Sequence, residues 1–134
     1  MNKVLLDTSA YSNFMAGNNK VLDIISESNI VYLSIFVLAE LLTGFKVGNK
    51  EVINKELLKK FLLKPTVYKL NADLETAEIF SEIKYHLKKS GNPIPINDIW
   101  IAAHTIETGS VLITSDLHFD KISGLRKFNF IKEI

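Results

Sequence analysis

The chain has 134 residues, 47% hydrophobic and 23% charged, the balance of a soluble globular protein long enough to bury a core within one domain spanning residues 1–134. Its formal charge of +1 excludes nucleic-acid binding by bulk electrostatics alone and leaves only local basic patches. The lack of cysteine excludes a disulfide framework, a thiolate zinc site and a thiol nucleophile; the apolar runs are too short to span a bilayer, so a cytoplasmic protein with no membrane association is expected.

Met1-Asn2-Lys3 leads into a strand-like run, Val4 to Leu6, rather than into a signal peptide. Further strands are expected at Ile30 to Leu33, Thr66 to Leu70, Val111 to Thr114 and Phe128 to Ile131. The middle ones lack polar alternation, which suits a parallel sheet covered on both faces. Between them lie segments of helical period. Ser34 is placed to cap a helix reaching about Val47, Asn71 one running through Tyr85 toward Lys89, and Asn97 one from Asp98 to about Thr108. Lys50 to Leu63 reads as an amphipathic helix with Val52, Ile53, Leu57, Leu58, Phe61 and Leu62 on one side and lysines mainly opposite. Gly48-Asn49, Ser90-Gly91-Asn92-Pro93 and Gly109-Ser110 are the punctuation. The order of elements predicts an α/β fold with helices on both faces of a mostly parallel sheet.

Four carboxylates stand in apolar surroundings with no basic neighbour in sequence: Asp7 after the first strand, Glu40 within Ile35 to Leu42, Asp98 before Ile99-Trp100-Ile101-Ala102-Ala103, and Asp116 after Val111 to Ser115. A buried carboxylate without a hydrogen-bonding or cationic partner costs several kcal/mol or titrates at higher pH. A hard divalent cation, Mg²⁺ or Mn²⁺, is the simplest counter-charge, since it takes oxygen ligands and leaves room for water and phosphate. Asp7 and Asp116 follow strand-like runs and so belong at the carboxyl edge of a parallel sheet, where ligands gather. Asp98 opens a helix, whose N-terminus favours negative charge. Glu40 lies about two turns into another helix, and its apolar neighbours direct it inward.

At these residues the chain resembles the PIN-domain ribonucleases, and within them the VapC-type toxins of type II toxin–antitoxin pairs. The resemblance is carried by Leu6-Asp7-Thr8-Ser9, by Ser34 through Glu40-Leu41 with Gly44, by Asn97-Asp98-Ile99-Trp100-Ile101-Ala102-Ala103, and by Leu112-Ile113-Thr114-Ser115-Asp116 with Phe119 and Ile122. It implies a three-layer α/β/α fold, Mg²⁺- or Mn²⁺-dependent cleavage of RNA, a homodimer, and inhibition by a cognate antitoxin whose tail enters the active-site groove. It places the acidic set on Asp7, Glu40, Asp98 and Asp116 and the polar helpers on Thr8, Ser9, Asn97 and Thr114. Asp7 and Asp98 are expected as principal metal ligands, Asp116 as a ligand direct or through water, and Glu40 as a ligand or water orienter.

Taken singly, Asp7, Asp98 and Asp116 are also explained as helix or turn caps, and capping explains Thr8, Ser9, Asn97 and Thr114 nearly as well. The joint pattern is what favours a site. A metal-free rival would use His104 and His118 as general acid and base. A phosphoacceptor domain would want an acidic pair beside Asp7, where Leu6 and Thr8 stand, and a haloacid-dehalogenase-type phosphatase would want an aspartate where Ser9 stands. A catalytically silent scaffold that binds RNA or protein is the remaining alternative. Lys46, Lys50, Lys84, Lys88, Lys89, Lys121, Arg126 and Lys127 offer phosphate contacts, and Tyr11, Phe14 and Phe45 offer stacking surfaces for an unpaired base or an antitoxin side chain.

Overall fold

The computed structural model describes residues 1–131. The elements run β1 (Lys3–Leu6), α1 (Thr8–Met15), α2 (Asn19–Glu27), β2 (Ile30–Ser34), α3 (Ile35–Val47), α4 (Glu51–Leu62), β3 (Val67–Leu70), α5 (Leu74–Ser90), α6 (Ile96–Thr108), β4 (Val111–Thr114), a 3₁₀ turn (Leu117–Lys121) and β5 (Lys127–Asn129). The five strands form one sheet in the order β3-β2-β1-β4-β5, parallel at every pairing. Consecutive residues of β1 and β4, Val4 to Leu6 and Leu112 to Ile113, are fully buried. Side chains alternate between sheet faces, so burial of neighbours means that both faces are covered, as the α/β/α expectation requires.

Strand order fixes where the site can be. The chain leaves β1 toward β2 and β3 on one side and returns to β4 and β5 on the other. The carboxyl ends of β1 and β4 therefore flank a topological switch point, the usual crevice for ligands in open parallel sheets. Register finishes the placement: Leu6 pairs with Ile113, which sets Asp7 beside Thr114 at that edge.

Several expected boundaries moved. Asn71 does not cap α5; Asp73 does, its side chain accepting from the Thr76 backbone N–H at 3.1 Å while the Asp73 N–H donates to Thr76 Oγ1 at 3.2 Å. That reciprocal box satisfies two groups that a lone Asn71 cap would leave open. Asn97 is not a cap either. Helix α6 begins at Ile96, preceded by Pro95 with φ −56°, so Asn97 lies inside the first turn. The last strand is Lys127–Asn129 rather than Phe128 to Ile131. Helices α1 and α2 were not anticipated as elements, although Asp7 is the cap of α1, as the structural reading of that residue expects. Among the described residues no helix is long and apolar enough to cross a membrane.

Helix α6 is held in place by aromatic packing. Trp100 is stacked between Phe36 of α3, ring centroids 4.8 Å apart, and Phe80 of α5 at 4.1 Å. Such offset contacts add to the area they bury. Because Trp100 is two residues from Asp98, this sandwich fixes the end of α6 that carries the acid. On the opposite side of the sequence motif, Tyr11 and Phe14 of α1 pack on Phe61 of α4, at 5.3 and 5.2 Å, and serve the core rather than a stacking surface.

Candidate active site

Asp7 leaves the sheet at the end of β1, 4% exposed, and turns the chain into α1. Its Oδ1 accepts from Ser9 Oγ at 2.7 Å and from the Ala10 N–H at 2.8 Å, and its Oδ2 accepts a short bond from Thr114 Oγ1. Burial raises its pKa against these bonds, which lower it, and the charge of Asp116 adds to the rise. The capping reading thus holds for Asp7, and its buried carboxylate stands at the strand edge where the sequence places the acidic set. Thr114 accepts from the Asp116 N–H at 2.9 Å as it donates to Asp7, and Ser9 Oγ accepts from the Ser115 N–H at 3.1 Å. These bonds lock the ends of β1 and β4 to each other.

Asp98 opens α6 and is 9% exposed. Its pKa is pushed up to about 6, first by burial, then by the charge of Asp116, with Glu40 adding a smaller push; His118 works in the opposite direction. The three acids therefore share one electrostatic neighbourhood, and Asp116 links it to Asp7. No lysine or arginine figures among the leading influences on Asp7 or Asp98. A cluster of like charges with little cationic relief is the arrangement that a divalent ion neutralises.

Glu40 is half-buried on α3 rather than directed into the core. Its Oε1 accepts from Thr8 Oγ1 at 2.6 Å, which joins α3 to the first residue of α1. Of the expected polar helpers, Thr8, Ser9 and Thr114 are each bonded to one of the acids; Asn97 makes no such bond among the described residues.

His118, which the sequence offers only as a general acid or base, lies against two of the acids. The backbone N–H of His118 donates to Asp116 Oδ1 at 2.8 Å, which caps the 3₁₀ turn and folds the ring back toward α6. His118 Nδ1 then lies 3.2 Å from Asp98 Oδ2 and 3.2 Å from Asp116 Oδ1. Asp98, Asp116 and His118 each offer one ligand atom, all within 4.8 Å of one another, so among the described residues this trio is a candidate for holding an ion, with the charge of Glu40 felt at Asp98 and that of Asp116 felt at Asp7. Oxygen-rich donors with an open, half-exposed side fit a hard divalent cation that keeps part of its water shell.

His104 has a different job. It is 1% exposed, with Nδ1 2.8 Å from Ser34 Oγ and Nε2 3.1 Å from the Asn71 carbonyl oxygen. Burial lowers its pKa, so the neutral ring ties α6 to the cap of α3. A ring with both nitrogens engaged inside the protein has no path to a substrate, and the metal-free acid–base pair loses one of its members.

Comparison with known proteins agrees with this architecture. The PIN domain family matches residues 4–125. Ribonuclease VapC5 of Mycobacterium tuberculosis is 27% identical over 128 residues, covering 96% of this chain and 93% of that protein. Among solved structures, VapBC2 of Rickettsia felis bound to a promoter DNA fragment superposes with TM-score 0.84 at 22% identity, over 96% of this chain and 98% of that one. VapBC-1 of nontypeable Haemophilus influenzae gives TM-score 0.83 at 24% identity, over 97% and 99%. With the family match running from β1 to Leu125 and the fold agreeing with it, the chain belongs to the PIN domain family.

Proposed function

We propose that residues 1–134 form a single nuclease domain, the endoribonuclease toxin of a toxin–antitoxin pair, which hydrolyses RNA phosphodiester bonds with the help of Mg²⁺ or Mn²⁺. One observation carries the reading: Asp7, Glu40, Asp98 and Asp116, from four separate stretches of sequence, meet at the carboxyl edge of β1 and β4 in a VapC-type PIN fold. Asp98 and Asp116 would hold the cation, with Asp7 and Glu40 as further oxygen donors. A bound divalent ion supplies Lewis acidity toward a phosphoryl oxygen and acidifies a water molecule at neutral pH.

The chain's own residues do the positioning. Ser9, the Ala10 N–H and Thr114 hold both oxygens of Asp7 in fixed directions and favour its charged form against burial. Thr8 fixes one oxygen of Glu40 and leaves the other to accept a proton or orient water. Phosphate contacts would come from the surface lysines and arginine that the sequence offers; Lys46, at the end of α3, pairs with Glu51 at 3.0 Å in the free protein.

A cognate antitoxin is the expected partner, since the similar solved structures are VapBC complexes. An acidic pocket attracts cations, and an arginine from that partner would pair in bidentate fashion with two of these carboxylates in place of metal charge. A homodimer and a cytoplasmic location belong to the same reading. The test is expression without partner of the parent and of Asp7→Asn, following growth and total RNA together. The account expects arrest and RNA cleavage from the parent and neither from the variant. Equal arrest by both would refute it, and loss of neither RNA nor growth with the parent would favour a silent binding module.

A further inference from the structure

The trio at the site contains one donor that a pure oxygen cage lacks. His118 Nδ1 stands 3.2 Å from an oxygen of Asp98 and 3.2 Å from an oxygen of Asp116, close enough to both for the three atoms to converge on one ion. The 3₁₀ turn holds it there: Asp116 Oδ1 caps the turn through the His118 N–H, and buried Phe119 anchors the next residue in the core. The carboxylate oxygens of Asp7 are meanwhile occupied by Ser9, Ala10 and Thr114, so Asp7 is less free than His118 to turn toward an ion beside Asp98.

Resting on the metal-dependent reading above, we propose that His118 Nδ1 is a direct ligand, with Asp98 and Asp116, of the divalent cation and biases the site toward first-row transition ions, Mn²⁺ in particular, over Mg²⁺. An imidazole nitrogen is a softer donor than water or carboxylate. Transition ions accept it readily, whereas Mg²⁺ holds to oxygen ligands and gives up water reluctantly. Replacing one oxygen vertex by nitrogen therefore leaves Mg²⁺ affinity little changed and raises that of Mn²⁺. With Nδ1 on the ion, the ring proton resides on Nε2 of this half-exposed side chain.

The experiment titrates the whole protein with Mg²⁺ and with Mn²⁺ by calorimetry, and records pulsed electron paramagnetic resonance of the Mn²⁺ form with ¹⁵N-histidine incorporated. Parent, His118→Ala and His118→Asp are compared, with melts in chelator confirming that each is folded. The expected result is a ¹⁵N coupling in the parent that both variants lose, a Mn²⁺ affinity about tenfold weaker in His118→Ala with Mg²⁺ nearly unaffected, and a Mn²⁺ preference over Mg²⁺ that His118→Asp abolishes while still binding both. Binding of both ions by the parent with no nitrogen coupling, or equal losses for the two ions on substitution, overturns the inference and leaves the metal-dependent nuclease standing. Failure of the folded parent to bind either ion removes both.

Discussion

The Thr114 hydroxyl donates to Asp7 Oδ2 and accepts from the Asp116 N–H, so one side chain at the end of β4 ties an acid of β1 to the backbone of the next acid along the chain. The parallel register that pairs Leu6 with Ile113 makes that contact unavoidable. Its loss should be felt in both stability and metal binding. Thr114→Val keeps shape and removes the hydroxyl, leaving a buried carboxylate short of a donor, which costs about 1–3 kcal/mol. The Asp7 pKa should rise further and metal affinity fall, with Thr114→Ser restoring much of both. Denaturation in chelator and calorimetric metal titration read the two effects; a Val variant equal to the parent in both would show that the bond does not support the site.

Proton linkage gives a second prediction, with a definite sign. The Asp98 carboxyl in the fold titrates at about 6, above its ordinary 3.8, so ionising it costs more in the folded state than in the unfolded one. Its contribution to metal-free stability is greatest below the ordinary value and declines as pH rises through the interval up to about 6. Asp7, raised in the same direction, acts likewise. Buried His104 works oppositely, since its depressed pKa makes stability fall as pH drops below its ordinary 6.5. Comparing Asp98→Asn with the parent cancels the histidine. In chelator the variant should gain stability relative to the parent as pH goes from about 4 to 7, and Mg²⁺ should raise the melting temperature of the parent more than that of the variant. A difference between the two proteins that does not change with pH would contradict the raised carboxyl.

His104 supplies the third prediction. His104→Leu removes the bonds to Ser34 Oγ and to the Asn71 carbonyl, which should lower stability by about 1–3 kcal/mol. Metal titration of the folded variant should match the parent, and RNA cleavage below its melting transition should persist. Loss of cleavage in a folded, metal-binding variant would return His104 to the chemistry.

Much of this architecture is legible in the chain because β1 and β4 carry unbroken apolar runs, Val4 to Leu6 and Val111 to Ile113, so Asp7 and Asp116, the first acids after them, declare themselves as strand-end residues. Caps are less legible. Asn71 and Asp73 are both good capping residues, and only the answering hydroxyl of Thr76 decides for Asp73. Pro95 takes the start of α6 from Asn97 by setting φ at −56° where the helix begins. Helix α2 is short and follows Gly17-Asn18, which reads as a loop, yet Asn18 is its cap, accepting from the Val21 N–H at 3.2 Å. The contact of His118 with Asp98 is illegible for a different reason. The ring's place beside Asp98, 20 residues earlier, depends on a 3₁₀ turn folding back over the end of α6, and no periodicity in sequence encodes a contact of that kind. Glu40 was expected to point inward, but Thr8, supplied by the next element around the site, holds it at the rim.

The central claim, that water activated at this carboxylate cluster breaks the phosphodiester bond, is tested most directly by the chemistry of the product ends. Purified parent protein would be incubated with RNA in Mg²⁺ or Mn²⁺, in excess chelator, and beside Asp98→Asn, and the termini identified by mass spectrometry. Attack by water leaves 5′-phosphate and 3′-hydroxyl ends, whereas attack by the neighbouring 2′-hydroxyl leaves a cyclic phosphate. The account predicts 5′-phosphate and 3′-hydroxyl ends from the parent with metal, no cleavage in chelator, and no cleavage by the variant. Cyclic phosphate ends, or undiminished cleavage in chelator, would contradict it.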